Sequence, residues 1–151
     1  MIRRAALAAA VLVATAAAVP ALHAEPRAGA APARPTPSGP LRAYRGPDGE
    51  LIAMVEANDG VAMLVQFKNL DKELDGRTVL YRLEDLGNGS KNVYVDKPRG
   101  SKTYRSVLLT ARDGDWEFYH PSKSGTHFAI YYSEKASGQW KVEDVLNAYK
   151  P

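Results

Sequence analysis

Between Gly46 and Gly138 the chain is punctuated at short intervals by turn-forming residues: GPDG at 46, NDG at 58, LDG at 74, GNG at 87, PRG at 98, DG at 113, SG at 124 and SG at 137. The runs between them are brief and rich in Val, Tyr, Leu, Phe and Ile. This rhythm constrains the fold more than any other feature, because it fits a sheet that reverses direction at each turn. Alternation within the runs agrees. In RTVLYRLED, Val79, Tyr81 and Leu83 fall on one face and Leu80, Arg82 and Glu84 on the other. After GNGS the chain returns as NVYVD, with Val93 and Val95 on one side, which predicts a hairpin. YRSVLLTAR places Val107, Leu109 and Ala111 together. Asp113-Gly114 suits the positive φ angles of a tight turn, and DWEFYH then brings Trp116 and Phe118 back on one face. HFAIYY aligns Phe128, Ile130 and Tyr132.

Three segments depart from simple alternation. VAMLVQF, residues 61–67, is almost continuously apolar and reads as a central strand covered on both faces. ELIAMVEA, residues 50–57, contains good helix formers but is short and bounded by turns; it is read as a strand paired with 61–67. NLDKEL, residues 69–74, has the spacing for one helical turn with Leu70 and Leu74 on one side. At the end of the chain, Val142, Val145, Leu146 and Tyr149 form one helical stripe, with Glu143 and Asp144 in the first turn and Lys150 in the last. So short a helix cannot stand alone and must dock on the sheet. The expected fold is mainly β (α+β): an antiparallel sheet or small barrel-like domain of about seven or eight strands with a C-terminal amphipathic helix.

Composition divides the chain into three parts. Residues 1–24 combine Arg3 and Arg4, an alanine-rich apolar stretch and small residues after Pro20, the layout of a secretory signal peptide cleaved after Ala21 or Ala24. The apolar stretch is shorter and weaker than a membrane span requires. Export to the periplasm or the extracellular space is therefore expected, with no transmembrane span after leader removal. Residues 25–40, EPRAGAAPARPTPSGP, hold five prolines, four alanines and no large apolar residue, and are read as a disordered linker. Residues 41–151 contain all 13 aromatic residues and read as a single β-rich domain. This domain carries 16 basic and 16 acidic residues, because Arg3, Arg4, Arg27, Arg34 and Glu25 all lie before it. A neutral domain argues against nucleic acid as a partner, since such binding needs an excess of cations.

The chain has no cysteine, which excludes thiol catalysis, cysteine-ligated zinc and iron–sulfur clusters. The stretch DGDWEFYHPSKSGTH, residues 113–127, holds His120 and His127 among acids and serines. Both histidines are read as peripheral residues beside a hairpin, and their spacing fits no compact metal site. KSGT at 123 lacks a partner serine followed three residues later by lysine. DKELDG at 71 begins like a calcium loop but has Arg82 where a bidentate glutamate belongs. GSKT at 100 lacks the order of a phosphate loop. No cofactor and no metal are expected.

Two features suggest binding instead. KPRGSKTYR, residues 97–105, carries Lys97, Arg99, Lys102 and Arg105 without an acid, a hairpin tip suited to an anionic group. Leu80, Tyr94, Tyr104, Leu108, Tyr119 and Tyr131 fall opposite the main core set, and the C-terminal helix is the expected cover for that face. The candidate binding residues are therefore Lys97, Arg99, Lys102, Tyr104, Arg105, Tyr94, Tyr119 and Tyr131. The function expected is a non-catalytic binding or structural domain whose partner is an anionic glycan, a peptide or an envelope protein. The alternatives are a small hydrolase or lyase using His120 with Glu117 or Asp115, and a subunit of a larger envelope assembly. Oligomeric state is not legible.

Overall fold

The turn residues reverse the chain where the sequence places them. Asn88-Gly89 and Asp113-Gly114 both adopt left-handed φ values, 53° and 75° in the first pair and 52° and 92° in the second. A two-residue turn of that hand matches the twist of the strands it joins. In this computed structural model, which describes residues 33–121 and 123–151, eight strands follow one another in this way. They are β1 (Arg42–Arg45), β2 (Leu51–Ala57), β3 (Ala62–Lys68), β4 (Thr78–Gly87), β5 (Ser90–Arg99), β6 (Lys102–Arg112), β7 (Asp115–Tyr119) and β8 (His127–Tyr132). Each pairs antiparallel with the next, and β8 pairs with β1, so the sheet closes into a barrel. Within the ambiguous segment 50–57, Leu51–Ala57 form β2, paired with β3 as expected.

Closure between β1 and β8 rests on only two register pairs, Tyr44 with Tyr132 and Arg45 with Tyr131. Where β8 stops, a short helix takes over. Ser133 caps α1 (Glu134–Ser137), and the Ser133 amide donates to the carbonyl of Ala43 at 2.9 Å. The Ala43 amide donates to Ser137 Oγ at 2.8 Å. Groups from a helix thereby extend the seam past the end of β8. The SG at 137, one of the turn signals in the sequence, ends this helix.

The alternating residues fill the bore. Ile52, Val65, Phe67, Val93, Leu109, Phe118 and Ile130 are almost wholly buried in one cluster. The outer faces of β1 to β3 present Ala43, Ala53, Ala57 and Ala62, whose small side chains let Trp140 and Val145 come close. Helix α2 (Val142–Asn147) docks there with its stripe of Val142, Val145, Leu146 and Tyr149 turned inward, and Leu80 packs beside it. This explains the unbroken apolar run over residues 62–65: Met63 and Val65, with Phe67, face the bore, while Ala62 and Leu64 lie under the helices.

Three expectations need correction. The helix was expected to roof the tyrosine-rich face, but it covers the opposite wall, and of the residues assigned to that face only Leu80 lies beneath it. The alternation in β6 was expected to hold Val107 with Leu109; a bulge between Val93 and Tyr94 shifts the register, so Val107 pairs with Tyr94 and Leu108 enters the core instead. An extra residue in one strand reverses the phase of everything before it. The linker was expected to reach residue 40, yet Pro37 bridges to Ala57, Ser38 donates to the Glu56 carbonyl at 2.8 Å and Asn58 donates to the Thr36 carbonyl at 2.8 Å. The glycine eases this approach, since a Cβ on Gly39 would sit 3.2 Å from Glu56 Cβ, a tight contact that the glutamate side chain would have to yield to. The leader and residues 25–32 lie outside the described residues.

Burial raises the Tyr81 phenol to about 12, opposed by the nearby Arg77 charge. The phenol is held neutral in the fold, so its contribution is complete below about pH 10 and disappears as pH climbs through the folded value. Alkaline titration followed by tyrosinate absorbance should show Tyr81 ionising together with unfolding, and Tyr81→Phe should remove that phase.

Candidate functional site

The two ends of the barrel differ. At one end, the loop from Asn69 to Gly76 folds over the bore and drops Leu70 and Leu74 onto the core. Two aspartates hold it. The Asp75 carboxylate accepts the amides of Asn69 at 3.0 Å, Leu70 at 2.8 Å and Asp71 at 3.3 Å. Asp71 Oδ1 accepts the amides of Glu73 at 3.0 Å and Leu74 at 2.9 Å. Two of the three carboxylates in DKELDG, those of Asp71 and Asp75, are thus engaged with this loop's own backbone.

Asp71 Oδ2 lies 2.9 Å from His120 Nε2. This corrects the sequence reading of His120 as peripheral: its side chain is only 2% exposed, and its ring meets Phe118 edge-on at 6.0 Å. His120 Nδ1 accepts the Lys123 amide at 3.1 Å, so the hydrogen-bond network places the ring proton on Nε2, on the side facing Asp71. Burial by itself would raise the Asp71 carboxyl. The amides of Leu74 and Glu73 and the facing imidazole outweigh it and hold the group below its ordinary value. The acid beside His120 is thus Asp71, which sequence reasoning did not pair with it. Glu117 lies on the outer wall, where it accepts from Tyr119 Oη at 2.6 Å and stands 3.6 Å from His127 Nε2. The hydrogen bond to Glu117, more than burial, raises the Tyr119 phenol.

Among the described residues, no loop folds over the bore at the other end. A cavity of about 360 Å³ enters the bore there, lined by Tyr44, Met54, Met63, Ala111 and Trp116, with Arg42, Glu56 and Lys91 at the rim. Trp116 and Tyr44 meet edge to face at 6.3 Å, and Tyr44 meets Tyr132 at 6.0 Å. Lys91 Nζ reaches Glu56 Oε1 at 2.6 Å. Since β3 and β4 separate their strands, this ion pair spans the opening from wall to wall. Arg42 has no carboxylate within ion-pair distance among the described residues. The rim therefore keeps one uncompensated cation above an aromatic and thioether floor.

Sequence reasoning missed this site, although it left a signal. Arg42 is in phase with Tyr44, Glu56 with Ile52 and Met54, and Lys91 with Val93. A charge on the core phase at a strand end points into a bore if the sheet closes, and into nothing in particular if it does not.

The residues proposed from sequence are only partly brought together. Lys97, Arg99, Lys102, Tyr104 and Arg105 lie on the long β5–β6 hairpin, at the plugged end. Tyr94 is buried beneath the Arg105 guanidinium, 3.8 Å from its ring centre. Tyr119 stacks on His127 at 5.6 Å, and Tyr131 stands exposed on the outer wall. No family model, no curated protein and no solved structure matches this chain.

Proposed function

We propose that the chain is an exported, non-catalytic binding module of the cell envelope or extracellular space, and that its ligand is a small molecule with an apolar body and an anionic group, received in the open mouth of the barrel. The observation that carries this reading is the pairing of an enclosed aromatic floor with an unmatched cation at the rim. Ligand sites are characteristically concave, mostly apolar and furnished with a few convergent polar groups, at volumes from about 300 Å³ upward. Small antiparallel barrels commonly use their mouths in this way. The apolar body would lie against Trp116, Tyr44, Met54 and Met63, and its anionic group would meet Arg42 or displace Glu56 from Lys91.

A hydrolytic role for His120 finds less support. Nε2 is committed to Asp71 and Nδ1 to the Lys123 amide, so neither nitrogen is offered to a substrate in this arrangement.

Two-dimensional NMR with indole-3-acetate and decanoate, each against its amide, tests the proposal. Shifts are expected at Tyr44, Met54, Lys91 and Trp116. Arg42→Glu should weaken carboxylate binding about tenfold or more while leaving the amides unaffected, the scale of a charge-assisted hydrogen bond. Absence of mouth shifts with all four probes would sink the proposal.

A further inference from the structure

Among the described residues, β5 pairs with β4 only as far as Tyr94, and β6 pairs with β7 only from Leu109. Residues 95–99 and 102–106 pair only with each other, so they extend past the wall as a two-stranded ribbon. Side chains alternate along a strand, which sorts this ribbon into two faces. One face carries Asp96 opposite Arg105, and there every charge is matched. Arg82 pairs with Asp96 at 2.9 Å and Arg105 with Glu84 at 2.9 Å. The other face carries Lys97 opposite Tyr104 and Arg99 opposite Lys102. It holds three cations and no acid. Lys97 Nζ touches the Pro121 carbonyl at 3.1 Å, and the Arg99 guanidinium lies 5.8 Å from the Tyr104 ring centre. Tyr104 itself is 48% exposed.

Charge needed only for solubility or for blunting an edge would be served by a mixture of signs on both faces. Here the acids are confined to one face and the unmatched cations to the other, around an exposed aromatic ring. We propose that this face is a binding site for an acidic polysaccharide. Ammonium and guanidinium groups pair with its carboxylates, and the tyrosine offers a flat apolar surface to the C–H face of a sugar ring. A phosphate-rich lipid surface would need only the cations; the ring set among them favours a polymer of cyclic units. The ribbon lies at the plugged end, away from the mouth, so the two sites are independent.

The full chain should be titrated at low salt with polygalacturonate, with uncharged dextran, and with vesicles of phosphatidylglycerol and phosphatidylcholine in equal parts. Binding to polygalacturonate alone is expected, weakening as salt rises. Arg99→Glu combined with Lys102→Glu should reduce affinity about tenfold or more. Tyr104→Ala should reduce it about threefold to tenfold. All these side chains are exposed, so the unfolding midpoint should not move. Arg42→Glu should leave polygalacturonate binding unchanged, which separates this site from the mouth. The proposal is overturned if the wild type ignores polygalacturonate, if the double variant or Tyr104→Ala binds as well as the wild type, or if vesicles bind more tightly than the glycan.

Discussion

Phe118→Ala is expected to destabilise the domain by about 3–5 kcal/mol, the range for emptying a large aromatic site in a packed core. Phe118 is fully buried and touches Phe67 at 5.7 Å, Phe128 at 5.1 Å and His120 at 6.0 Å between ring centres. It thus joins the bore to the plug. A domain of this size has a total stability of about 5–15 kcal/mol, so one such loss takes a large share. Chemical denaturation would measure it. Phe118→Leu keeps most of the volume and should cost clearly less. A loss for Phe118→Ala no greater than that of an exposed substitution would show that these aromatic rings do not form the centre of the core.

His120→Ala is the second large effect, at about 2–4 kcal/mol. It leaves a cavity beside Phe118 and deprives both Asp71 Oδ2 and the Lys123 amide of their partner. The pH dependence has a definite sign. The Asp71 carboxyl is held below its ordinary value in the fold, so its contribution is fully present above about pH 4 and is lost as pH falls through the lower, folded value. Stability measured from pH 6 downward should therefore fall less steeply in Asp71→Asn than in the wild type. Equal slopes would mean that the plug does not depend on this carboxylate. Loss of the plug should also raise amide exchange across residues 69–76 before the barrel itself opens.

The features legible in the sequence are those set by neighbours along the chain. Alternation in RTVLYRLED fixed which residues of β4 face inward, and the turn residues fixed where the chain reverses. The spacing of Val142, Val145, Leu146 and Tyr149 fixed the docking stripe of α2. The bulge in β6 was not legible, because one extra residue reverses the phase of a strand without altering its composition. That single shift moved Leu108 into the core and separated it from the tyrosines with which it had been grouped.

Sequence by itself determined the strands, the hairpins and a helix that needed a surface, since each follows from a period of two or of about 3.6 residues. Tertiary structure decided which wall the helix covers, that the sheet closes through β1 and β8, and what each end of the bore contains. The physical reason is distance along the chain. Asp71 meets His120, and Glu56 meets Lys91, only because closure brings remote strands around a common axis. No local period carries that information, so the mouth became visible only when the last strand returned to the first.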